Sequence, residues 1–322
     1  MRSTSLAVPV FASAIASVLA LAGACGGSGA STGDDTTPPP FDPIALASEV
    51  SQSELETTIA ALSAMPTRYT LTQGDETARD YLVGRGRALG FEPQLDPFQV
   101  AGQTATNVIL KHPGTVTPEV VYIFSAHYDS TSATPMSLAP GADDNATGVA
   151  SVLEAARVLS QRSLRSSVWF VFTAAEEQGS LGSKHLAQWL KADGVDVRGV
   201  IAPDMIGYWP LGMADKFDIL GDDASKFLVD QMSAVATQLG VEHKVWIQHG
   251  YCYGDDHTMF QEAGFPAITP MDCVEAHNLS AGEDTPHYHQ VSDTSATLYM
   301  PFTTKVAGVI VATLAQLGTP AP

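Results

Sequence analysis

"VVYIFSAHYDS", residues 120–130, is the stretch on which the reading of this chain turns. Val120 to Ala126 form an apolar or small run, the mark of a strand buried on both faces of a sheet. Such strands belong to parallel sheets covered by helices. The run passes straight into His127, Tyr128 and Asp129. Side chains alternate along a strand, so an extended chain carries positions 127 and 129 on one face. An imidazole and a carboxylate placed this way form either a solvated strand end or the first part of a metal site.

The flanking pattern extends the fold outward. "ATGVASVLEAARVLSQ" (146–161) reads as an amphipathic helix and "SSVWFVFTAA" (166–175) as a strand. "GSLGSKHLAQWLKADG" (179–194) is a second helix, leading into the strand "VRGVIAPDM" (197–205). Strand and helix in alternation imply βαβ units and a mainly parallel sheet. Upstream, "SQSELETTIAALSAM" (51–65) and "GDETARDYLVGRGRALG" (74–90) are helical, with Gly90 as a C-cap. "FEPQLDPFQV" (91–100) and "TATNVILKHP" (104–113) are strands of an opening hairpin-like section, and a last helix covers 301–317. No repeat or linker interrupts this pattern. The expectation is a single α/β domain over 44–322, with a mainly parallel mixed sheet flanked by helices.

Composition bounds the function. Sixteen Lys and Arg against 35 Asp and Glu give a net charge of −19, which argues against nucleic acid and anionic membrane surfaces. Residues 1–24 have one Arg, an apolar stretch and then small residues, as a secretory signal does. The segment ends "LAGAC", with Ala22, Gly23 and Ala24 before Cys25. This is similar to a bacterial lipobox, although Leu21 stands one place further upstream than usual. The expectation is an exported bacterial protein, either a cell-envelope lipoprotein anchored through Cys25 or a secreted one. Residues 25–43, rich in Gly, Ser, Thr and Pro, suit a flexible tether. Two cysteines then remain, Cys252 and Cys273; in an oxidising compartment they read as a disulfide, with two buried thiols as the alternative.

Chemistry collects at the strand ends. The first strand ends in His127 and Asp129, the second in "TAAEEQGS" with Glu176 and Glu177, and the third in "APDM" with Asp204. Between the first two lies "PGADDNATG", with Asp143 and Asp144 just before a helix. Any one of these could be a helix cap or a solvated loop; Asp144 or Asn145 could simply cap the helix. Three successive strands ending this way concentrate negative charge at one sheet edge, where ligands bind in such folds. A divalent metal is the simplest compensation.

"AHYDS", "PGADDNATGVASVLEAAR", "FTAAEEQGSLGS", "PDM" and "YHQVSDT", with the opening "TRYTLTQGDETARDYL", resemble the two-zinc exopeptidases of the bacterial secreted leucyl aminopeptidase type. Relatives of that family include glutamate carboxypeptidase, the transferrin receptor ectodomain and glutaminyl cyclase. The resemblance implies two zinc ions per chain, with Asp144 bridging them. It implies His127 and Asp204 on one zinc, Glu177 and His289 on the other, Glu176 as general base, and Asp129 orienting His127. His289 is preferred to His287 because the family's ligand stands four residues before an Asp-Thr, here Asp293-Thr294. A cis peptide after Asp144 is also implied.

The sequence departs from that pattern in "HGYCYGDDHTMF" (249–260), where relatives carry a short-range disulfide and this chain has only Cys252. The pocket wall is therefore rebuilt, and either Tyr251 or Tyr253 could contact the developing oxyanion. Met205 and Met271 are equally candidates for pocket lining and for core. Asp255, Asp256 and His257 read as supporting or surface residues, and His112, His185, His243, His249 and His277 have no evident partner.

The expected activity is zinc aminopeptidase action on peptides with a free N-terminus, by a monomer. A carboxypeptidase would need a cationic pocket, and Lys and Arg are scarce after position 200. A single-zinc glutaminyl cyclase is the alternative from another reaction class, although Tyr288, not Trp, precedes His289. A non-catalytic binding ectodomain would have lost ligand positions that are all present here.

Overall fold

The structure, a computed structural model, describes residues 41–210, 216–248, 255–272 and 285–319. Cys25, Cys252 and Cys273, Tyr251, Tyr253, His249, His277, the signal and most of the tether lie outside them. Eight strands form one mixed sheet: β1 (Gln94–Val100), β2 (Gln103–His112), β3 (Thr117–His127), β4 (Ser166–Thr173), β5 (Asp196–Ile201), β6 (Lys216–Gly221), β7 (Glu242–Ile247) and β8 (Ala267–Met271). Their order is β1-β2-β4-β3-β5-β8-β6-β7. β4, β3, β5 and β8 run parallel, while β2 and β6 join the set antiparallel.

The central strands show why the apolar run is continuous. Phe124 on β3 and Phe170 and Phe172 on β4 face one layer of helices. Ile123 on β3 and Trp169 and Val171 on β4 face the other. The first layer holds α1 (Gln52–Ser63), α2 (Gln73–Ala88), α3 (Gly148–Leu159), α5 (Lys226–Gln238) and α7 (Met300–Gly318). The second holds α4 (Leu181–Ala192) and α6 (Asp256–Ala263). α7 is long and apolar enough to cross a membrane, but 67% of its apolar window is buried in the protein, as in a core helix.

Local signals set the helix ends. Ser51 and Thr72 cap α1 and α2 by accepting from Glu54 N and Asp75 N at 3.4 and 3.3 Å. Gly90, at φ +88°, ends α2 in the left-handed conformation, and Phe91 N returns to Gly86 O at 3.0 Å. The start of α3 is irregular. Asp144 and Asn145 leave helical geometry, the peptide between them is cis, and Asn145 Oδ1 caps Gly148 N at 2.9 Å. The capping role falls to Asn145, and Asp144 is left to point elsewhere.

Parallel register aligns the functional ends. His127 pairs with Thr173, and Phe124 pairs with both Phe170 and Ile201. The segments that follow β3, β4 and β5 therefore leave the sheet at the same edge. The second half of the sheet, β6 to β8 with α5 and α6, was not anticipated from the sequence: Asp218 in β6 and Thr269 and Pro270 in β8 interrupt the apolar runs of short strands.

Core packing, not surface charge, carries this fold. Phe170→Ala should cost about 3–5 kcal/mol in denaturant unfolding. Loss of the part-exposed Arg85–Glu54 pair (3.0 Å) should cost under about 1 kcal/mol. Equal costs for the two variants would contradict this view.

Candidate metal centre and catalytic cluster

The structure brings His127, Asp144, Glu177, Asp204 and His289 into one cluster. His127 Nε2 lies 3.4 Å from Asp144 Oδ1 and 3.4 Å from Asp204 Oδ1. His289 Nε2 lies 3.3 Å from Asp144 Oδ2 and 3.2 Å from Glu177 Oε2. Asp144 thus turns one oxygen towards each imidazole. Two trios share Asp144, His127–Asp144–Asp204 and Asp144–Glu177–His289, each with its donor atoms within 4.8 Å of one another, and His127, Glu176 and Glu177 form a third set at that spacing. A tetrahedral zinc with bonds of about 2.1 Å separates its ligands by about 3.4 Å, so the donor spacing and the His/carboxylate chemistry both fit zinc. The His127 side chain is 1% exposed and that of His289 is 39% exposed, so the cluster opens to solvent on the His289 side.

Asp129 stands outside both trios and organises them. Its oxygens accept from Glu176 N at 3.1 Å, Glu177 N at 3.2 Å and Thr70 Oγ1 at 3.0 Å. Oδ1 also lies 3.6 Å from His127 Nδ1. Glu176 Oε1 accepts from Ser180 Oγ at 3.0 Å. Left-handed backbone recurs around these groups, at Ala175 (φ 61°), Ser180 (φ 52°), Met205 (φ 49°) and His289 (φ 54°). Such conformations are costly for residues with a Cβ and persist only where the surroundings impose them.

The electrostatics are those of crowded buried acids. Burial and then Asp144 raise Glu177 to about 8; burial and then Asp255 raise Asp204 to about 7. Burial, reinforced by Asp255, Asp256 and Asp204, holds Glu176 well above the usual carboxyl range. Burial would raise Asp144 as well, but hydrogen bonds from both imidazoles pull it below the ordinary value. Burial would lower the histidines, yet Asp204 together with Asp129 and Asp144 outweighs it at His127, and Asp144 with Glu177 lifts His289 to about 10.

Several residues that matter here were not singled out as functional in the sequence. Arg68 is fully buried and donates to the carbonyls of Tyr128 (2.8 Å), Leu62 (3.2 Å), Pro140 (2.5 Å) and Gly141 (2.8 Å). It ties the end of β3 to the entry of the Asp144 loop and sets one cation among the acids. Asp293, expected only as a register mark for His289, accepts from Asp143 N at 2.9 Å and Asp144 N at 3.1 Å. Its pairing of an acid with two backbone donors 150 and 149 residues away leaves no local sequence signal. Asp255, Asp256 and His257, read as supporting or surface residues, are buried, and the two acids add to the charge facing Glu176. Met205 and Met271 pack with Leu220 in a small buried cluster against Trp246 and Tyr288. Tyr288 stacks on His289 at 3.8 Å between ring centres. His287 bonds Ser292 Oγ at 2.9 Å and enters neither trio. Partners not foreseen also appear for His112 (Arg162 O, 2.9 Å), His185 (Asp96, 3.1 Å) and His243 (Ser233, 2.7 Å).

Residues 107–314 match the sequence profile of peptidase family M28. The chain belongs to that family. A probable zinc metalloprotease of Pyrenophora teres f. teres is 30% identical over 342 residues, covering 87% of this chain and 69% of its own. Among solved structures, the LapA aminopeptidase of Legionella pneumophila superposes with a TM-score of 0.73 at 20% identity, over 87% of this chain and 75% of its own. Glutaminyl cyclase of Porphyromonas gingivalis does so with a TM-score of 0.69 at 20% identity, over 83% and 99%. This M28 peptidase is a zinc-dependent hydrolase on the fold that both structures share.

The titration pattern gives a test of metal binding. Glu177 and Asp204 are raised above their unfolded values, so their protonated forms stabilise the metal-free fold. That contribution is complete below about pH 4 and is lost as pH rises through 7–8. The raised histidines add stability in the same direction, lost only as pH approaches about 10 for His289. Metal-free M28 peptidase should therefore melt at lower temperature as pH rises from 6 to 9, while the gap to zinc-loaded protein widens. Calorimetry with chelator and with zinc across that range reads both curves. A gap that narrows with pH would contradict the assignment.

Proposed function

We propose that this chain is a two-zinc aminopeptidase that hydrolyses the N-terminal residue from peptides, with Glu176 as general base. The observation that carries this reading is Asp144 facing His127 with one oxygen and His289 with the other. That arrangement suits a bridging carboxylate, with His127 and Asp204 holding one ion and Glu177 and His289 the other. Zinc bound there would polarise the scissile carbonyl and make water acidic enough to lose a proton near neutral pH.

The chain's own groups supply the rest. Glu176 lies within ligand reach of His127 and Glu177 but is not needed in either trio built on Asp144, and its raised proton affinity suits a group that takes a proton from water and gives it to the leaving amine. Ser180 Oγ fixes the carboxylate by donating to Oε1. Asp129 keeps the His127 ring and the Glu176–Glu177 backbone in register, so base and ligand act from one rigid turn.

The polarity of the exopeptidase follows from charge. A free N-terminal ammonium meets a field set by Glu176, Glu177, Asp204, Asp255 and Asp256. A C-terminal carboxylate would need a free cation. Arg68 spends its guanidinium donors on main-chain carbonyls and is buried. This supports aminopeptidase over carboxypeptidase action. Two complete trios likewise support hydrolysis over single-zinc glutaminyl cyclisation. The N-terminal segment supports an exported enzyme, either tethered through a lipidated Cys25 or secreted.

Leucine anilide with a free amine should be cleaved, and its N-acetyl derivative should not. Cleavage of the blocked substrate, or ring closure of N-terminal glutamine in place of anilide hydrolysis, would overturn the proposal. Glu176→Gln keeps an acceptor for Ser180 but not a base. It should lower kcat by roughly 10²–10⁴-fold with zinc content unchanged.

A further inference from the structure

Glu176 and Glu177 lie on the loop between Ala174 and Gly182, which leaves β4 and returns as α4. Asp129 holds the apex of this loop through Glu176 N and Glu177 N. Its base is held by a residue on a different strand. Asn107, in the middle of β2 and just beyond the last β2–β4 pair (Val108–Phe172), has no exposed surface. Its Oδ1 accepts from Ala174 N at 3.0 Å, and its Nδ2 donates to Gly182 O at 3.0 Å. The second Nδ2 hydrogen goes to Asp96 Oδ2 at 3.0 Å, the cross-strand partner of Asn107 on β1. Asp96 in turn meets His185 on α4 at 3.1 Å.

The chemistry of this position is selective. Only a side chain that accepts and donates at once can bind both ends of the loop, and a primary amide does so with one donor to spare. Ala174 O and Gly182 N add a third link across the base at 3.0 Å. That approach is close enough that a Cβ on Gly182 would stand 2.2 Å from Ala174 O and 2.5 Å from Asn107 Oδ1. The loop is thus a ring closed at its neck by Asn107 and pinned at its crown by Asp129.

We infer that Asn107 is a positioning residue for the hydrolysis: its amide fixes the Ala174–Gly182 loop and thereby sets where the Glu176 and Glu177 carboxylates stand. It belongs to neither metal trio. The inference rests on the roles proposed above for Glu176 and Glu177. With the neck open, Asp129 still holds the two amides, but the loop ends are free to spread and the carboxylates lose register with His289. The trio His127–Asp144–Asp204 lies on other segments and keeps its geometry. Displacements near 1 Å in such constellations cost on the order of 100-fold in rate.

Asn107→Asp tests this, because an aspartate accepts from Ala174 N but donates to Gly182 O only when protonated. At pH 8 kcat on leucine anilide should fall roughly 10- to 100-fold with KM within about threefold. The deficit relative to wild type should shrink as pH falls towards 6. Zinc titration should show one equivalent bound as in wild type and the other bound at least about tenfold more weakly. Asn107→Leu, of similar size but able neither to donate nor to accept, should show the same losses without the pH dependence and serves if the aspartate variant does not fold. Leu314→Ala in α7 is the control for general destabilisation and should keep wild-type kcat. Wild-type kcat and zinc binding in the Asn107 variants would overturn the inference. So would equal weakening of both zinc equivalents, or an equal kcat loss in Leu314→Ala. A wild-type enzyme inactive on the anilide would count against the proposed function, and the split between zinc equivalents would still decide the role of Asn107.

Discussion

The constraint on which the rest of this structure depends is the repulsion among carboxylates gathered at one sheet edge. Asp129, Asp143, Asp144, Glu176, Glu177, Asp204, Asp255, Asp256 and Asp293 converge there from six segments of chain. Two such charges 4 Å apart repel by about 4 kcal/mol at an effective dielectric of 20. A fold with a net stability of roughly 5–15 kcal/mol does not carry several such pairs uncompensated. Compensation comes in layers: backbone amides for Asp129 and Asp293, imidazoles for Asp144, and the buried Arg68 at the back. Without metal, the remainder is met by protons: burial first, and then the neighbouring acids, push Glu177 and Asp204 up. Divalent cations would replace those protons, and the same crowding that costs stability would then become affinity.

The scaffold makes this crowding geometrically stable. Parallel register between β3, β4 and β5 sends three chain segments off the same edge, and a helix or loop returns each one. Each departing segment is held by long-range bonds as well as by local turns. Asp293 holds the Asp144 loop from the far end of the chain, Arg68 holds its entry, and Asp129 holds the Glu176–Glu177 turn. Left-handed backbone at Ala175, Met205 and His289 is the sign that these tethers override local preference.

What was legible in the sequence follows the same physics. "VVYIFSAHYDS" declared a doubly buried strand because both of its faces are covered by helices, so no polar alternation breaks the run. The site residues were legible because acids and imidazoles at three successive strand ends leave a pattern that chance does not. Asp144 and Asn145 were ambiguous between cap and ligand, and the structure divides the roles: Asn145 caps and Asp144 turns to the imidazoles. The second half of the sheet was not legible, because Asp218 in β6 and Thr269 and Pro270 in β8 break the apolar runs that marked β3 to β5. Arg68, Asn107 and Asp293 were also hidden as functional groups. Each acts through main-chain atoms far away in sequence, and a hydrogen bond to a carbonyl or an amide imposes no residue type on its partner.

The central claim is that Asp144 joins two cation sites. The most direct test is the zinc content of the purified full chain, measured by elemental analysis for wild type and Asp144→Ala. The account predicts two zinc ions per chain in the wild type and weakened retention of both in the variant, since each ion would lose one oxygen of the shared carboxylate. A wild type that holds a single zinc, or a variant that gives up only one of two, would contradict it.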